Sequence, residues 1–322
     1  MMLTRKTTRR LATRCAMAAL FPLVLSAAAE EKKPAAKDTE WPFEVPKEEI
    51  KHYTALRTSE KIVVDGNLSE KSWALAPRSR RFVDCLTGER AMYDTRVAVL
   101  WDDENLYVGY WVEEPNVRAT LTQRDAPIYE NNDVELFIAG KDAYYEFEIN
   151  SFGTIYEVFF IWQEAYDKCD YASDPALEKS KLGGFNGVGF TRHPRGLRWL
   201  SRHWDFPGAQ TAVQVQGTIN DDSDKDKGWT VELAFPWKGM KWLAEADKRS
   251  LPPKDGDVWR LDFSRFNQYG APAPAKDSRG WFLSRHGVWD SHIPELFPYV
   301  HFSAKDVAAE NAEDKETGKE GK

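Results

Sequence analysis

Cysteine is scarce: of three in the chain only Cys85 and Cys169 lie beyond the first 29 residues. Two cysteines cannot build the framework of a small disulfide-stapled domain, and neither sits in a Cys-x-x-Cys pair that would mark a zinc ribbon or a dithiol centre. They form a candidate disulfide in an oxidising compartment, with two separate thiols as the alternative. Also missing are a Gly-Lys-Ser/Thr phosphate loop, a His-Glu-x-x-His helix and a Gly-x-Ser-x-Gly elbow. Their absence argues against P-loop NTPases, zincin peptidases and α/β-hydrolases. Basic residues are outnumbered, 44 Lys and Arg against 51 Asp and Glu. The one long apolar run, residues 15–25, is too short to span a bilayer comfortably.

That run belongs to an expected export signal over 1–29. Arg5, Lys6, Arg9, Arg10 and Arg14 precede it, and Ser26-Ala27-Ala28-Ala29 supplies small residues for cleavage. Removal leaves 39 basic against 51 acidic residues, a net charge of −12. An exported, acidic protein is a poor partner for nucleic acid or an anionic membrane, so the expected location is secreted or periplasmic.

Aromatic residues are abundant, 13% of the chain with 13 Trp. Many must pack inside, and enough are left for a binding surface. Residues 30–53 read as a charged linker and an extended arm whose Trp41 and Phe43 lie against the domain. Period-two alternation predicts strands over 61–65, 81–85, 95–101, 105–112, 133–139, 144–150, 154–162, 211–219, 228–235, 257–266, 280–283 and 298–302. Helical spacing covers 68–76 around Trp73, capped by Asn67 or Ser69, and 238–246. Residues 163–210, rich in Gly and Pro, read as a long surface insertion, and 304–322 as a disordered charged tail. Many short strands and two short helices predict an all-β fold, an antiparallel β-sandwich over 54–303.

The chain is organised around residues 126–150. In 133–139, Val134, Leu136 and Ile138 alternate with Asp133, Glu135 and Phe137; in 144–150, Tyr145, Phe147 and Ile149 alternate with Glu146, Glu148 and Asn150. Two neighbouring strands therefore offer carboxylates on one face, entered by a loop carrying Tyr129. Apolar rings beside fixed acceptors suit a sugar, whose C–H faces stack while its hydroxyls donate. An outward Glu is ordinarily solvated or ion-paired, and Arg96, Arg260 and Asp262 are available as partners or further ligands. Asp222, Asp224 and Asp226 before Gly228 are spaced somewhat like a calcium loop, but a solvated hairpin explains them better.

Five segments in order, 64–73, 95–112, 132–137, 228–237 and 289–302, resemble carbohydrate-binding module family 9, with the likeness covering about 56–302. The resemblance implies a non-catalytic, DOMON-like β-sandwich that pinches a sugar ring between two aromatics and partners secreted polysaccharide-degrading enzymes. Its clamp positions fall on Tyr129 and Trp289, and its strand carboxylate on Glu135. The family's arginine falls near Glu148 and its amide near His286, so both are candidate ligand residues of altered chemistry. The resemblance also leaves room for structural calcium near Asp65 and Asp133.

Two alternatives belong to other classes. Glu135 with Glu148 or Glu146 offers the paired carboxylates of a glycoside hydrolase. Some DOMON-like domains bind haem through Met and His; here the mature chain has Met92 and Met240 with His52, His193, His203, His286, His292 and His301.

Overall fold

Alternation of buried apolar residues along extended segments generates the architecture. The computed structural model describes residues 41–268 and 275–310; the expected export signal, the linker up to residue 40 and the tail beyond 310 lie outside them. Among the described residues there are fourteen strands: β1 (His52–Arg57), β2 (Val83–Asp84), β3 (Thr95–Trp101), β4 (Asn105–Glu113), β5 (Asp133–Ala139), β6 (Ala143–Asn150), β7 (Ile155–Trp162), β8 (Gly183–Phe185), β9 (Arg198–Ser201), β10 (Gln210–Gln216), β11 (Gly228–Pro236), β12 (Val258–Phe266), β13 (Gly280–Phe282) and β14 (Tyr299–Asp306). One continuous ladder orders them β10-β11-β4-β3-β1-β14-β12-β5-β6-β7-β9-β8. Pairing is antiparallel except around β1, which runs parallel to both β3 and β14.

The ladder folds over at the β1–β14 pair to give a β-sandwich. Val97, Val99, Val108, Tyr110, Trp229 and Val231 from one half meet Val134, Leu136, Ile138, Tyr145, Phe147, Leu261 and Phe263 from the other in the main core. Each such side chain contributes about 1.5–3 kcal/mol by leaving water. The Tyr110 hydroxyl crosses this core and donates to the Glu135 carbonyl at 2.7 Å.

Both outer faces are covered as well. Over β3, β4 and β11 lies the segment carrying Ile62, Leu68 and Trp73. It needs Gly109 beneath it, since a Cβ there would stand 2.9 Å from Leu68 and 3.2 Å from Trp73. The strand predicted at 61–65 does not form. Its backbone donors go to carboxylates instead, Val63 N–H to Glu70 Oε1 and those of Asp65 and Gly66 to Glu232 Oε2. The helix predicted over 68–76 is only Lys71–Leu75, without a side-chain cap.

Residues 163–210 are more than a surface loop. They contain four short 3₁₀ turns and strands β8 and β9, which extend the sheet beyond β7. Tyr171, Leu177, Trp204 and Phe206 from this stretch are buried in the main core. At the far end, β14 continues through Asp306 and Val307 is buried, so the predicted tail starts too early. The arm from Trp41 does lie on the domain: Phe43, Val45 and Ile50 pack with Ile293 and Leu296. Cys85 and Cys169 are both free thiols. They belong to different neighbourhoods, Cys85 among Phe266, Phe282 and Trp289 and Cys169 against the main core, so the candidate disulfide is not made.

Candidate functional site

The face of β5, β6 and β7 turned away from the core forms the floor of a cavity. Register aligns Ser264, Glu135, Glu148 and Tyr156 across β12, β5, β6 and β7. Side chains opposed in this way on one face sit roughly 5 Å apart at Cβ. The next row holds Asp262, Phe137, Glu146 and Val158. Although these glutamates point outward from the core, they are not solvated: Glu135 is 3% exposed and Glu148 1%. The covering comes from the insertion and from the loop after β13. Phe185, Val188, Leu200 and Arg202 from the one and Trp289 to His292 from the other line a cavity of about 390 Å³.

Tyr129 and Trp289 both line this cavity. Tyr129, 46% exposed, lies on a 3₁₀ turn (Ile128–Glu130) anchored by buried Ile128 and stands edge-on to Tyr156 at 5.8 Å. The loop is held further by Asn131, whose Oδ1 accepts from the backbone of Thr120 and Leu121, and by Gln268, which donates to the Tyr129 carbonyl. Trp289 stands edge-on to Phe266 at 4.9 Å. The insertion is tied down beside it: Asp290 Oδ2 accepts the N–H groups of Val188, Gly189 and Phe190 at 2.9 to 3.0 Å. Gly189 is required there, because a Cβ would fall 2.3 Å from the Trp289 carbonyl oxygen.

Electrostatically the floor is unusual. Burial pushes the Glu135 carboxyl up to about 8, tempered by the Ser264 hydroxyl that donates to its Oε2 at 2.7 Å. Asp133, Glu146 and Glu148 are held well above the ordinary carboxylate range, by burial first and then by the neighbouring Glu135. Burial brings the His292 imidazole down to about 4, with Nε2 3.4 Å from Glu146 Oε1. The floor therefore holds protons at neutral pH and both donates and accepts hydrogen bonds, below aromatic walls.

Other predicted residues lie elsewhere. His286 is buried beneath the loop, its Nδ1 2.8 Å from the Asp290 carbonyl oxygen and its ring stacked on Phe297, so it does not line the cavity. Arg260 donates to the backbone carbonyls of Phe297 and Glu295 and covers Tyr299, a brace for the chain and not a cavity wall. Asp262 is buried 3.6 Å from His286, and Arg96 pairs with Asp94 on the other half of the sandwich. Asp65 is exposed and accepts from Asn67 N, apart from Asp133, so those two form no joint calcium site. Asp222, Asp224 and Asp226 diverge: Asp222 meets Asn116 and Arg118, Asp224 meets Thr218, and Asp226 accepts from Val117 and Thr218 N–H groups. Met240 is in the main core with Met92 packed against it, away from the cavity's His292. The insertion residues Phe185, Val188, Leu200 and Arg202 escaped the sequence reading. Their only signal was the length of the insertion.

The comparisons fit this geometry. Residues 79–165 match the family model of carbohydrate-binding family 9. That segment, about a quarter of the chain, spans β2 to β7 and carries Tyr129, Glu135 and Glu148. Over that segment the chain is similar to carbohydrate-binding family 9, and its fold is a β-sandwich. Among solved structures, a Bacteroides uniformis protein provisionally described as carbohydrate-binding matches with a TM-score of 0.50 at 14% identity, covering 79% of this chain and 100% of that one. A family 9 carbohydrate-binding module from Caldicellulosiruptor kristjanssonii matches with TM-scores of 0.44 in complex with cellotriose and 0.43 with glucose. Identity is 12% in both, over 79% of this chain and 95% and 97% of those. At 14% identity the Bacteroides uniformis match speaks to fold alone. No curated protein matches.

Proposed function

We propose that this protein binds a short saccharide or a saccharide end in the cavity between Tyr129 and Trp289, without cleaving it. The observation that carries this is the meeting of both aromatic residues with Glu135, Glu146 and Glu148 around one cavity of about 390 Å³, within the ~300–1,000 Å³ of small-molecule pockets. Aromatic walls accept the C–H faces of a pyranose, and the protonated floor exchanges hydrogen bonds with its hydroxyls. Glu135 and Glu148 are cross-strand neighbours on one face, side by side. Glycoside hydrolysis needs its two carboxyl groups flanking the bond being cut, so the arrangement favours binding over turnover.

The sequence of 1–29 supports export, to the periplasm or beyond, where such a protein would serve polysaccharide breakdown beside degrading enzymes. Among the described residues no helix is long and apolar enough to cross a membrane. The test is binding of the purified protein to a glycan panel, beside Tyr129→Ala and Trp289→Ala. Each truncation is expected to cost about 1–3 kcal/mol, a loss of roughly ten- to hundredfold. A folded protein that binds no glycan, or variants that bind as tightly as the parent, would refute the reading.

A further inference from the structure

Asp133, Glu135 and Glu148 each present one oxygen, and the three atoms lie within 4.8 Å of one another. All three residues are buried, Asp133 fully. Asp133 Oδ1 accepts from Phe266 N–H at 3.1 Å, Glu135 Oε2 from the Ser264 hydroxyl, and the Tyr129 backbone N–H bonds to the Glu148 carboxyl. Asp133 Oδ2 and Glu148 Oε2 are buried without a hydrogen-bond partner. Among the described residues no Lys, Arg or His forms an ion pair with any of the three. A buried acceptor left unmatched is destabilising, and so are directly opposed like charges, which these carboxyl groups escape only by holding protons. Something of positive charge would resolve both defects at once.

We propose that Asp133, Glu135 and Glu148 hold one divalent cation of the calcium type at the cavity floor. The donor set is all oxygen and carboxylate, which selects hard cations over zinc or copper. Two ligands of one calcium, at about 2.3–2.6 Å from the ion, lie at most roughly 5 Å apart, which oxygens within 4.8 Å of one another satisfy; magnesium, at about 2.0–2.1 Å, spans at most roughly 4 Å and demands a near-ideal octahedron. Calcium takes some six to eight oxygens, so three carboxylates leave positions open. Glu135 and Glu148 line the cavity whereas Asp133 lies behind them, so the open positions face inward to water or to neighbouring hydroxyls of a bound sugar. This last step rests on the saccharide reading; the ion itself does not. Carboxyl groups bind an ion only when deprotonated, so protons compete with the ion and its affinity falls as pH falls.

Calorimetric titration of chelator-treated protein with calcium chloride, and separately magnesium chloride, tests the site. The expected result is one calcium per chain, with magnesium weaker and with calcium affinity reduced at least tenfold in Asp133→Asn and in Glu148→Gln. Melting in chelator guards against misfolding: each variant should be as stable as the parent or more so, since an amide replaces a buried carboxyl group of the same shape, and should lack the parent's rise in Tm on adding calcium. Folded parent protein that takes up no calcium, or uptake that both variants retain, overturns the proposal. Glycan binding with and without chelator tests the second step. A tenfold loss in chelator supports hydroxyl coordination by the ion; undiminished glycan binding overturns that step and leaves the function standing. Calcium uptake without binding of any glycan overturns the saccharide reading and supports the ion site.

Discussion

Replacing Glu135 by Gln should make the metal-free protein more stable above neutrality and flatten its response to pH. In the folded protein the Glu135 carboxyl titrates at about 8 against an ordinary 4.5, with burial as the main cause. Between those values the native state keeps a proton that the unfolded chain has released, so the contribution of Glu135 to stability falls as pH rises through the window and levels off above about 8. At about 1.4 kcal/mol per pH unit, the penalty at full ionisation is on the order of 3–5 kcal/mol. The introduced amide would keep an acceptor for the Ser264 hydroxyl and offer a donor toward Glu148 and Asp133. The other groups facing the site, Asp133, Glu146, Glu148, Asp262, His292, Arg202 and Arg265, remain in both proteins; Asp133, Glu146, Glu148 and Asp262 lose the smaller push from Glu135 in the variant but keep the larger one from burial. Urea denaturation in chelator at several pH values from about 5 to 8 reads the difference directly. The variant should gain on the parent by about 3 kcal/mol at the upper end and by little at the lower. Identical pH slopes, or a parent that gains stability across the window, would refute the account of a proton-holding floor.

Other outcomes follow from single contacts. Burial raises the Asp290 carboxyl, but His292 and the N–H groups of Phe190, His292 and Val188 bring it below the ordinary range. Asp290→Ala should therefore orphan the donors of Val188, Gly189 and Phe190, costing about 2–4 kcal/mol. Faster amide exchange and protease cleavage confined to 183–190 would show it, while unchanged protection there would count against Asp290 as the fastening. Cys85, pushed up to about 12 by burial, and Cys169 should both be found as thiols by peptide mapping, Cys85 reacting with a thiol reagent only after unfolding. A disulfide-linked Cys85–Cys169 peptide would contradict the structure.

Alternation alone was enough to place β3 to β7, β11 and β12 and to say which residues of β5 and β6 face the core. Side-chain direction in a strand is local, with a period of two, so Val134 and Tyr145 inward imply Glu135 and Glu148 outward. The same logic failed at 61–65, where extended residues give their donors to Glu70 and Glu232 and not to a neighbouring strand. It failed again over 163–210. That stretch has little period because Leu200 and Trp204 are buried and Phe185 half-buried, each against distant elements, and no local repeat encodes that.

The sequence by itself determined the fold class, the aromatic excess and the row of carboxylates on one strand face. Only the tertiary structure decided that this face is roofed. Outward glutamates in water would titrate normally; beneath Phe185, Val188, Leu200 and Trp289 they hold protons and lie within reach of one cation. Likewise only packing separates Tyr129 and Trp289, which line one cavity though far apart in the chain, from His286 and Arg260, which are held against the Asp290, Glu295 and Phe297 carbonyls instead. Desolvation depends on everything that surrounds a group, and that sum exists only once the chain has folded.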